Sequence, residues 1–285
     1  MLERREMSHI TSRSKRAMAL LLALLTLPVA VLGASRSQFT SLSAHLGNLP
    51  WRQHAYSVIE LGSFGGTNCC VVIEINNRSW VDGTSNFPEN KNFHPFLWLN
   101  GRMVDLGTLG GPNSSAGGSN DRGDVTVGGS DTRVPDPLGE DFCTYGTYQI
   151  CRSFVWHNGV RLLVPTLGGN NSDVAGINNN GEVLGFGETA NHDPTCIAPQ
   201  VLGIKAFTWE PTTGEVHILP PLSGDSDSVG FGLNENGQVA GASGICKGGL
   251  SSGLAGARHA VLWQNGTPID LGSLWGCDRQ RCVWH

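Results

Sequence analysis

The residues of this sequence best suited to chemistry are its eight cysteines. An even number of cysteines suits a set of disulfides, which persist in oxidising compartments. Proximity suggests two pairs and equivalent places in the chain suggest a third: Cys143 with Cys151, Cys277 with Cys282, and Cys196 with Cys246. Spacing alone does not exclude other pairings. Zinc is the rival interpretation, but the sequence has no Cys-x-x-Cys and no His-x-x-x-His, so we predict no metal and no cofactor.

Carboxylates come next, because a pair of them could act as general acid and general base. Asp105 and Asp270 recur just before a Leu-Gly pair, and Glu60 holds the neighbouring register position. A recurring acid is more typical of a strand-end turn, and glycoside hydrolysis needs two carboxyls at a defined separation. The sequence also lacks the common nucleophile, phosphate-loop, dinucleotide and zinc-protease motifs. We expect no enzyme, with a polysaccharide hydrolase or lyase as the alternative.

Two oxygen-rich segments, residues 170–173 and 225–228, could offer ligands to Ca²⁺. Neither follows the twelve-residue pattern of a calcium-binding loop. We therefore expect both segments to be solvated turns.

The composition favours a turn-rich β protein. Gly accounts for 39 of the 285 residues, and only 15% of the residues are charged. A helical bundle is excluded, because each interior Gly costs a helix about 1 kcal/mol relative to Ala. The hydrophobic share of 39% argues against a disordered chain. The net charge of -5 argues against a nucleic-acid partner.

Three phrases recur in the same order and define one unit that is repeated four times. The first is a Leu-Gly-Gly phrase, as at Leu109, and the second is an Asn-rich turn that is clearest from Ile177 to Gly185. The third is an aromatic phrase whose tryptophans lie 53 to 58 residues apart: Trp98, Trp156, Trp209 and Trp263. Each unit holds two turns that join short β-prone runs, which predicts about four strands, the size of a propeller blade.

The predicted fold class is therefore all-β, a β-propeller-like array of about four four-stranded repeats over residues 56–285. The aromatic side chains, two residues apart on one strand face, should pack against the next blade. The fifth copy stops after its opening phrase, so the array could be truncated at the C-terminus. It could close as a small ring sealed by residues 56–61 and 268–271, or it could stay open, which leaves an exposed edge.

The phrases resemble those of the HAF repeat family, the bacterial probable extracellular repeat proteins. The match is best at residues 105–111, 172–185 and 206–209, and the resemblance covers roughly residues 56–276. It implies export and propeller-like repeats, and it implies no particular activity.

The N-terminus indicates export. Residues 17–34 carry no charge and follow five basic residues, which is the pattern of a signal peptide. Residues 1–34 are therefore predicted to be a signal peptide or an uncleaved anchor, which would be the only link to a membrane. Residues 35–55 should form a linker, and the body should be extracellular or at the cell surface.

Binding loops sit on rigid repeat scaffolds, so a ligand site is expected on three long insertions, residues 132–152, 189–205 and 244–258. We therefore expect a non-catalytic binding or structural module for an unidentified glycan or protein ligand. An inactive fragment of a longer repeat protein is a further alternative.

Overall fold

Sixteen β strands and one short 3-10 turn make up the regular structure of the described residues. The computed structural model describes residues 57–67, 70–247 and 256–273. The chain divides into two units, Met1–Val58 and Ile59–His285, and every strand belongs to the second. The strands form four separate four-stranded antiparallel sheets, in which successive strands are neighbours. The prediction of an all-β, propeller-like array of four repeats is confirmed.

The strand bounds follow the order of the repeats. The first sheet contains β1 (Val71–Ile75), β2 (Val81–Asn86), β3 (Phe93–Leu99) and β4 (Arg102–Asp105), with the 3-10 turn Pro88–Asn90 between β2 and β3. The second contains β5 (Ser114–Ser119), β6 (Val125–Pro135), β7 (Gln149–His157) and β8 (Val160–Leu163). The third contains β9 (Gly168–Ile177), β10 (Val183–His192), β11 (Leu202–Glu210) and β12 (Glu215–Leu219). The fourth contains β13 (Asp227–Leu233), β14 (Val239–Gly244), β15 (Ala257–Gln264) and β16 (Thr267–Gly272).

Asn-Gly pairs make the tight turns between the third and fourth strands of three sheets. At the turn from β7 to β8, Asn158 has a φ of 48° and Gly159 a φ of 87°. Both angles lie in the left-handed region that Asn and Gly tolerate, and a two-residue hairpin of this kind requires it. The sequence therefore identified these hairpins for the correct physical reason.

Glycines inside the second strand of a sheet make room for the aromatic phrase on the third strand. A Cβ on Gly185 would lie 2.7 Å from Cζ of Phe207 and 3.0 Å from the carbonyl oxygen of Asp173. A Cβ on Gly241 would lie 2.9 Å from the ring of Trp263. Glycine at these two positions is thus a packing requirement, because the rings of Phe207 and Trp263 occupy the space that a Cβ would need.

The hydrophobic core lies between consecutive sheets. Val155 and Val164 of the second repeat pack against Phe207 and Trp209 of the third, and all four are buried. Equivalent clusters join the first sheet to the second and the third to the fourth. The aromatic phrase does pack between blades, but against the preceding blade and not the next one. Phe154 clusters with Leu97 of the first sheet, and Trp263 clusters with Leu184 of the third.

A ladder of asparagines joins the turns between the first and second strands of successive repeats. Asn76 Nδ2 donates to the carbonyl oxygen of Asn120 at 2.9 Å, and Asn120 Nδ2 donates to that of Asn178 at 3.1 Å. Asn178 Nδ2 donates in turn to the carbonyl oxygen of Asn234 at 3.1 Å. The Oδ1 atom of each Asn accepts two backbone N–H groups of its own turn, as from Asn180 and Glu182 to Asn178. One residue type therefore shapes each turn and also holds it to the next.

Within the described residues the array is open. Strand contacts link each sheet to the next in sequence. Of the two segments expected to seal a ring, residues 57–61 form no strand. The other, residues 268–271, lies in β16, which pairs with β15. Residues 57–61 therefore do not supply the strand that ring closure would need, and the described residues fit the open alternative.

Candidate ligand-binding face

The connections between the second and third strands lie together at one end of the sheets, opposite the asparagine ladder. The predicted insertions fall at these connections in the second, third and fourth repeats. Their ends are more regular than expected, because β6 continues to Pro135 and β7 begins at Gln149. We call the segments 136–148, 193–201 and 245–247 together the insertion face. The residues between 247 and 256 lie outside the part of the chain that is described.

Two disulfides fix this face. Cys143 bonds Cys151 within the insertion of the second repeat. Cys196 bonds Cys246 with 4.4 Å between their Cα atoms, and this bond ties the insertion of the third repeat to that of the fourth. Both indicate that the protein folds in an oxidising compartment. The third candidate pair, Cys277 and Cys282, lies outside the described residues.

A buried polar cluster ties the insertion of the second repeat to the third. Glu140 Oε1 accepts the backbone N–H groups of Val201 and Leu202 at 2.7 and 2.9 Å. Gln200 Nε2 donates to Glu140 Oε1 at 3.1 Å and to Glu188 Oε1 at 2.9 Å. Both carboxyl groups belong to residues that are 0% exposed. A substrate could not reach these buried carboxyl groups. The cluster therefore has a structural role, which is to hold the insertion of the second repeat against the third.

Asn171 extends this cluster towards the second repeat. Its Nδ2 donates to Asp136 Oδ2 at 3.0 Å and to Glu188 Oε2 at 2.9 Å. The expectation that residues 170–173 and 225–228 are solvated turns is wrong. Asn171 lies inside β9 and is 0% exposed, and Asp227 at the start of β13 is 8% exposed. The polar residues had suggested turns, but they satisfy buried hydrogen bonds between repeats.

Burial raises the pKa of Glu188 to about 7, and the nearby charge of Glu140 adds to the change. The pKa of Glu140 is also raised, mainly by burial. Two like charges in a dry site disfavour each other, so this pair binds a proton more tightly than two separate exposed carboxyls would. No periodicity in the sequence marks this pair, because Glu140 comes from an insertion and Glu188 from a strand.

A second carboxyl pair joins the third repeat to the fourth. Asp227 Oδ1 accepts the backbone N–H of Ile204 at 3.1 Å, and burial raises the pKa of Asp227 to about 7. Burial alone would raise the pKa of Asp193 too, but hydrogen bonds from Ser226 and Thr195 outweigh it and leave this pKa lowered. The two pKa values are thus driven apart. Asp227 also lines a shallow depression, with Phe231 among its other walls.

Asp105 and Asp270 prove to be turn residues. Their Oδ1 atoms accept the backbone N–H groups of Gly107 and Gly272 at 2.7 and 2.8 Å. Each also pairs with a histidine that the sequence had not linked to it: His94 Nδ1 lies 3.0 Å from Asp105 Oδ1, and His259 Nδ1 lies 3.2 Å from Asp270 Oδ1. The sequence does contain a signal for these pairs, because His94 and His259 each lie two residues before the aromatic phrase of their repeat. The pairs lie in the first and fourth sheets and do not converge.

Large apolar side chains are exposed on the insertion face and at the end of β6, which leads into it. Val134 and Tyr148 are both 52% exposed, Leu138 is 47% exposed, and Ile197 is 57% exposed. Tyr148 has a φ of 52°, in a region that non-glycine residues seldom occupy. Its carbonyl oxygen accepts the backbone N–H of Asp136 at 2.9 Å, which fixes the hairpin end at this angle. We call Val134, Leu138, Tyr148 and Ile197 the apolar patch.

The described part of the chain contains no group of three or more His, Cys, Asp or Glu side chains placed to hold a metal ion. Among the same residues, no helix is long and apolar enough to cross a membrane.

These features define a class: an open array of propeller-like blades with a rigid, disulfide-linked loop face at one end. No protein-family model matches the chain, and no curated protein matches it. The chain is similar in structure to an acylaminoacyl peptidase from Pyrococcus horikoshii, with 13% sequence identity and a TM-score of 0.40. The match covers 72% of this chain and 27% of the peptidase chain. At this TM-score the likeness adds nothing to what the sheets themselves show.

Proposed function

We propose that this chain is an exported, non-catalytic binding module that holds a macromolecule on its insertion face. The apolar patch carries the proposal. Its four exposed apolar side chains lie at the same end of the sheets, where a bound partner would gain about 25 cal/mol for each Å² of apolar surface removed from water. The patch is also rigid, since its loops are tied by Cys196–Cys246 and by Glu140.

Export rests on two independent supports. The apolar segment after the basic N-terminus is typical of a signal peptide, and the two disulfides require an oxidising compartment. The resemblance of the repeats to HAF proteins points in the same direction. We infer that the protein acts outside the cell or at its surface.

The chemistry of the patch favours a protein ligand over a glycan. Three of its four side chains are aliphatic, and only Tyr148 is aromatic. Protein interfaces use such side chains at their centres, where Tyr is enriched and charge is depleted. A glycan would be better served by several aromatic faces surrounded by hydrogen-bonding groups.

Immobilised wild-type protein should retain a partner from a surface-protein extract of the organism that makes it, and much less from isolated cell-wall polysaccharide. Tyr148→Ala and Ile197→Asp should each lower retention at least tenfold. Val160→Ala is the matched control, because Val160 is 68% exposed but lies at the opposite end of the sheets. Equal retention by the two patch variants and the control would overturn the proposed site.

A polysaccharide hydrolase or lyase is the second candidate, and one observation favours it. Asp193 and Asp227 have pKa values moved in opposite directions, as an acid and base pair requires, and Asp227 borders a depression. Wild-type protein and Asp227→Asn should be compared on a panel of polysaccharides. Reducing ends released by the wild type and lost in the variant would support this candidate over the binding module.

A further inference from the structure

Among the residues that the structure describes, nothing gives the outer face of the fourth sheet the cover that the same face has in the other three. Leu271 follows the β16 residue that pairs with Val261, and it is 61% exposed. Its equivalents are buried against the next sheet, with exposures of 0%, 0% and 3%: Leu106, Val164 and Leu219. Ala240 is exposed as well, whereas its equivalents are 0% exposed: Asp82, Thr126 and Leu184. We call Ala240, Leu262 and Leu271 the trailing face.

Within the same described residues, the opposite face of the first sheet has the complementary gap. Ile75, which pairs with Val81, is 64% exposed. Its equivalents in the second and third sheets are 3% and 9% exposed: Ser119 and Ile177. Val72 is 50% exposed, whereas its equivalents are 8% and 6% exposed: Ala116 and Val174. These equivalents are buried by the preceding sheet. We call Val72 and Ile75 the leading face.

The asparagine ladder ends in the same two places. Asn234 occupies the last described position. Like Asn120 and Asn178, its Nδ2 donates within its own turn, to Gln238 Oε1 at 2.8 Å, but among the described residues it makes no second bond to a following repeat. At the first position the carbonyl oxygen of Asn76 accepts the N–H of Ser79 in its own turn. Within the described residues, no preceding repeat supplies it with the amide donor that the later asparagines receive. The ladder thus has a spare donor at one end and a spare acceptor at the other.

We propose that the trailing face of one copy of this chain binds the leading face of a second copy. The contact would continue the sheet-to-sheet packing found three times within the chain. It would cover exposed apolar side chains at positions that are buried in the internal contacts, and it would extend the ladder from Asn234 to Asn76. A second copy is the occupant that carries both complementary faces. Two copies joined at both ends form a closed ring of eight sheets, since each copy has four, and propellers of that size occur. In a closed ring every trailing face is covered by a leading face. An open row of copies always leaves one trailing face and one leading face exposed.

The first test is the mass of the full chain in solution, expressed with its own N-terminal segment and measured by sedimentation velocity over a range of concentrations. The expected result is a dimer. A monomer at micromolar concentration would overturn the proposal.

Two single variants test the polarity of the contact. Leu271→Glu damages the trailing face and Ile75→Lys damages the leading face, so each variant alone should sediment as a monomer. An equimolar mixture should recover a dimer held by one intact contact, because one variant keeps an intact leading face and the other an intact trailing face. Val160→Glu is the control and should remain dimeric, since Val160 belongs to neither face.

Circular dichroism would show that each variant is folded, which is expected because all three side chains are mostly exposed. If Ile75→Lys stays dimeric while Leu271→Glu does not, the trailing faces pair with each other and the head-to-tail contact is wrong. Dimers from both variants alone would place the contact elsewhere and also overturn it.

Discussion

Asn178 Nδ2 donates to the backbone carbonyl oxygen of Asn234 at 3.1 Å, although the two residues lie in turns of different sheets. The Oδ1 atom of Asn178 meanwhile accepts the N–H groups of Asn180 and Glu182 at 3.0 Å. One amide therefore closes its own turn with its oxygen and fastens the next repeat with its nitrogen. Asp cannot substitute for it, because a carboxylate offers no donor.

We predict that Asn178→Ala destabilises the protein more than Asn234→Ala. Asn178 is 4% exposed and bonds across the repeat boundary, so its loss should cost roughly 2–4 kcal/mol at about 1 kcal/mol for each hydrogen bond. Asn234 is exposed and its side chain bonds only within its own turn, so its loss should cost about half as much. Urea denaturation of both variants measures the difference. Equal losses would show that the cross-repeat bond contributes nothing.

The recurring phrases predicted the sheets well because each phrase acts locally. Asn158 and Gly159 set a hairpin by their own φ angles. From the sequence, the asparagines of the second phrase predict only turns. The bond from Asn178 to Asn234 could not be predicted, because it joins residues 56 positions apart. The paired carboxyls escape prediction for the same reason: Glu140 and Glu188 meet only after an insertion has folded back on a strand. The place of each strand and turn within a repeat is therefore set by nearby residues. The contacts that the insertions make depend on how the repeats pack together.

Gly185 and Gly232 should respond in opposite ways to the same substitution. Gly185→Ala would place a Cβ 2.7 Å from Phe207, so the ring must move and we expect a loss of about 1–3 kcal/mol. A Cβ on Gly232 meets nothing within 4 Å, so Gly232→Ala should be neutral or up to about 1 kcal/mol stabilising through a less flexible unfolded chain. Thermal unfolding of the two variants decides the matter, and similar losses in both would contradict the packing role of Gly185.

The two disulfides should differ in their contribution to stability. The bond from Cys196 to Cys246 spans 50 residues, and that from Cys143 to Cys151 spans 8. Loop-closure entropy then assigns about 4 kcal/mol to the longer loop and about 2.5 kcal/mol to the shorter. Replacing each pair with Ser and measuring the free energy of unfolding tests this order. A larger loss from the shorter loop would mean that native-state contacts outweigh the entropy of the unfolded chain.

Glu188 should make the protein less stable as the pH rises. The unfolded chain releases this proton near the ordinary pKa of 4.5, whereas the folded protein holds it up to about 7. Between these values the unfolded state binds fewer protons, so the free energy of unfolding falls with rising pH and levels off above about 7. A difference of this size between the folded and unfolded pKa values lowers the free energy of unfolding by at most roughly 3 kcal/mol.

Glu188→Gln should remove this part of the pH dependence, because the amide resembles the protonated carboxyl and can still accept from Asn171. Its stability should match the wild type near pH 5 and exceed it near pH 8, as measured by urea denaturation at both values. Asp82 and Asp227, whose pKa values burial also raises to about 7, keep some pH dependence in the variant. Glu215→Gln is the control, since that side chain is 64% exposed. If Glu188→Gln and the control show the same slope, then Glu188 does not hold the proton in the folded protein.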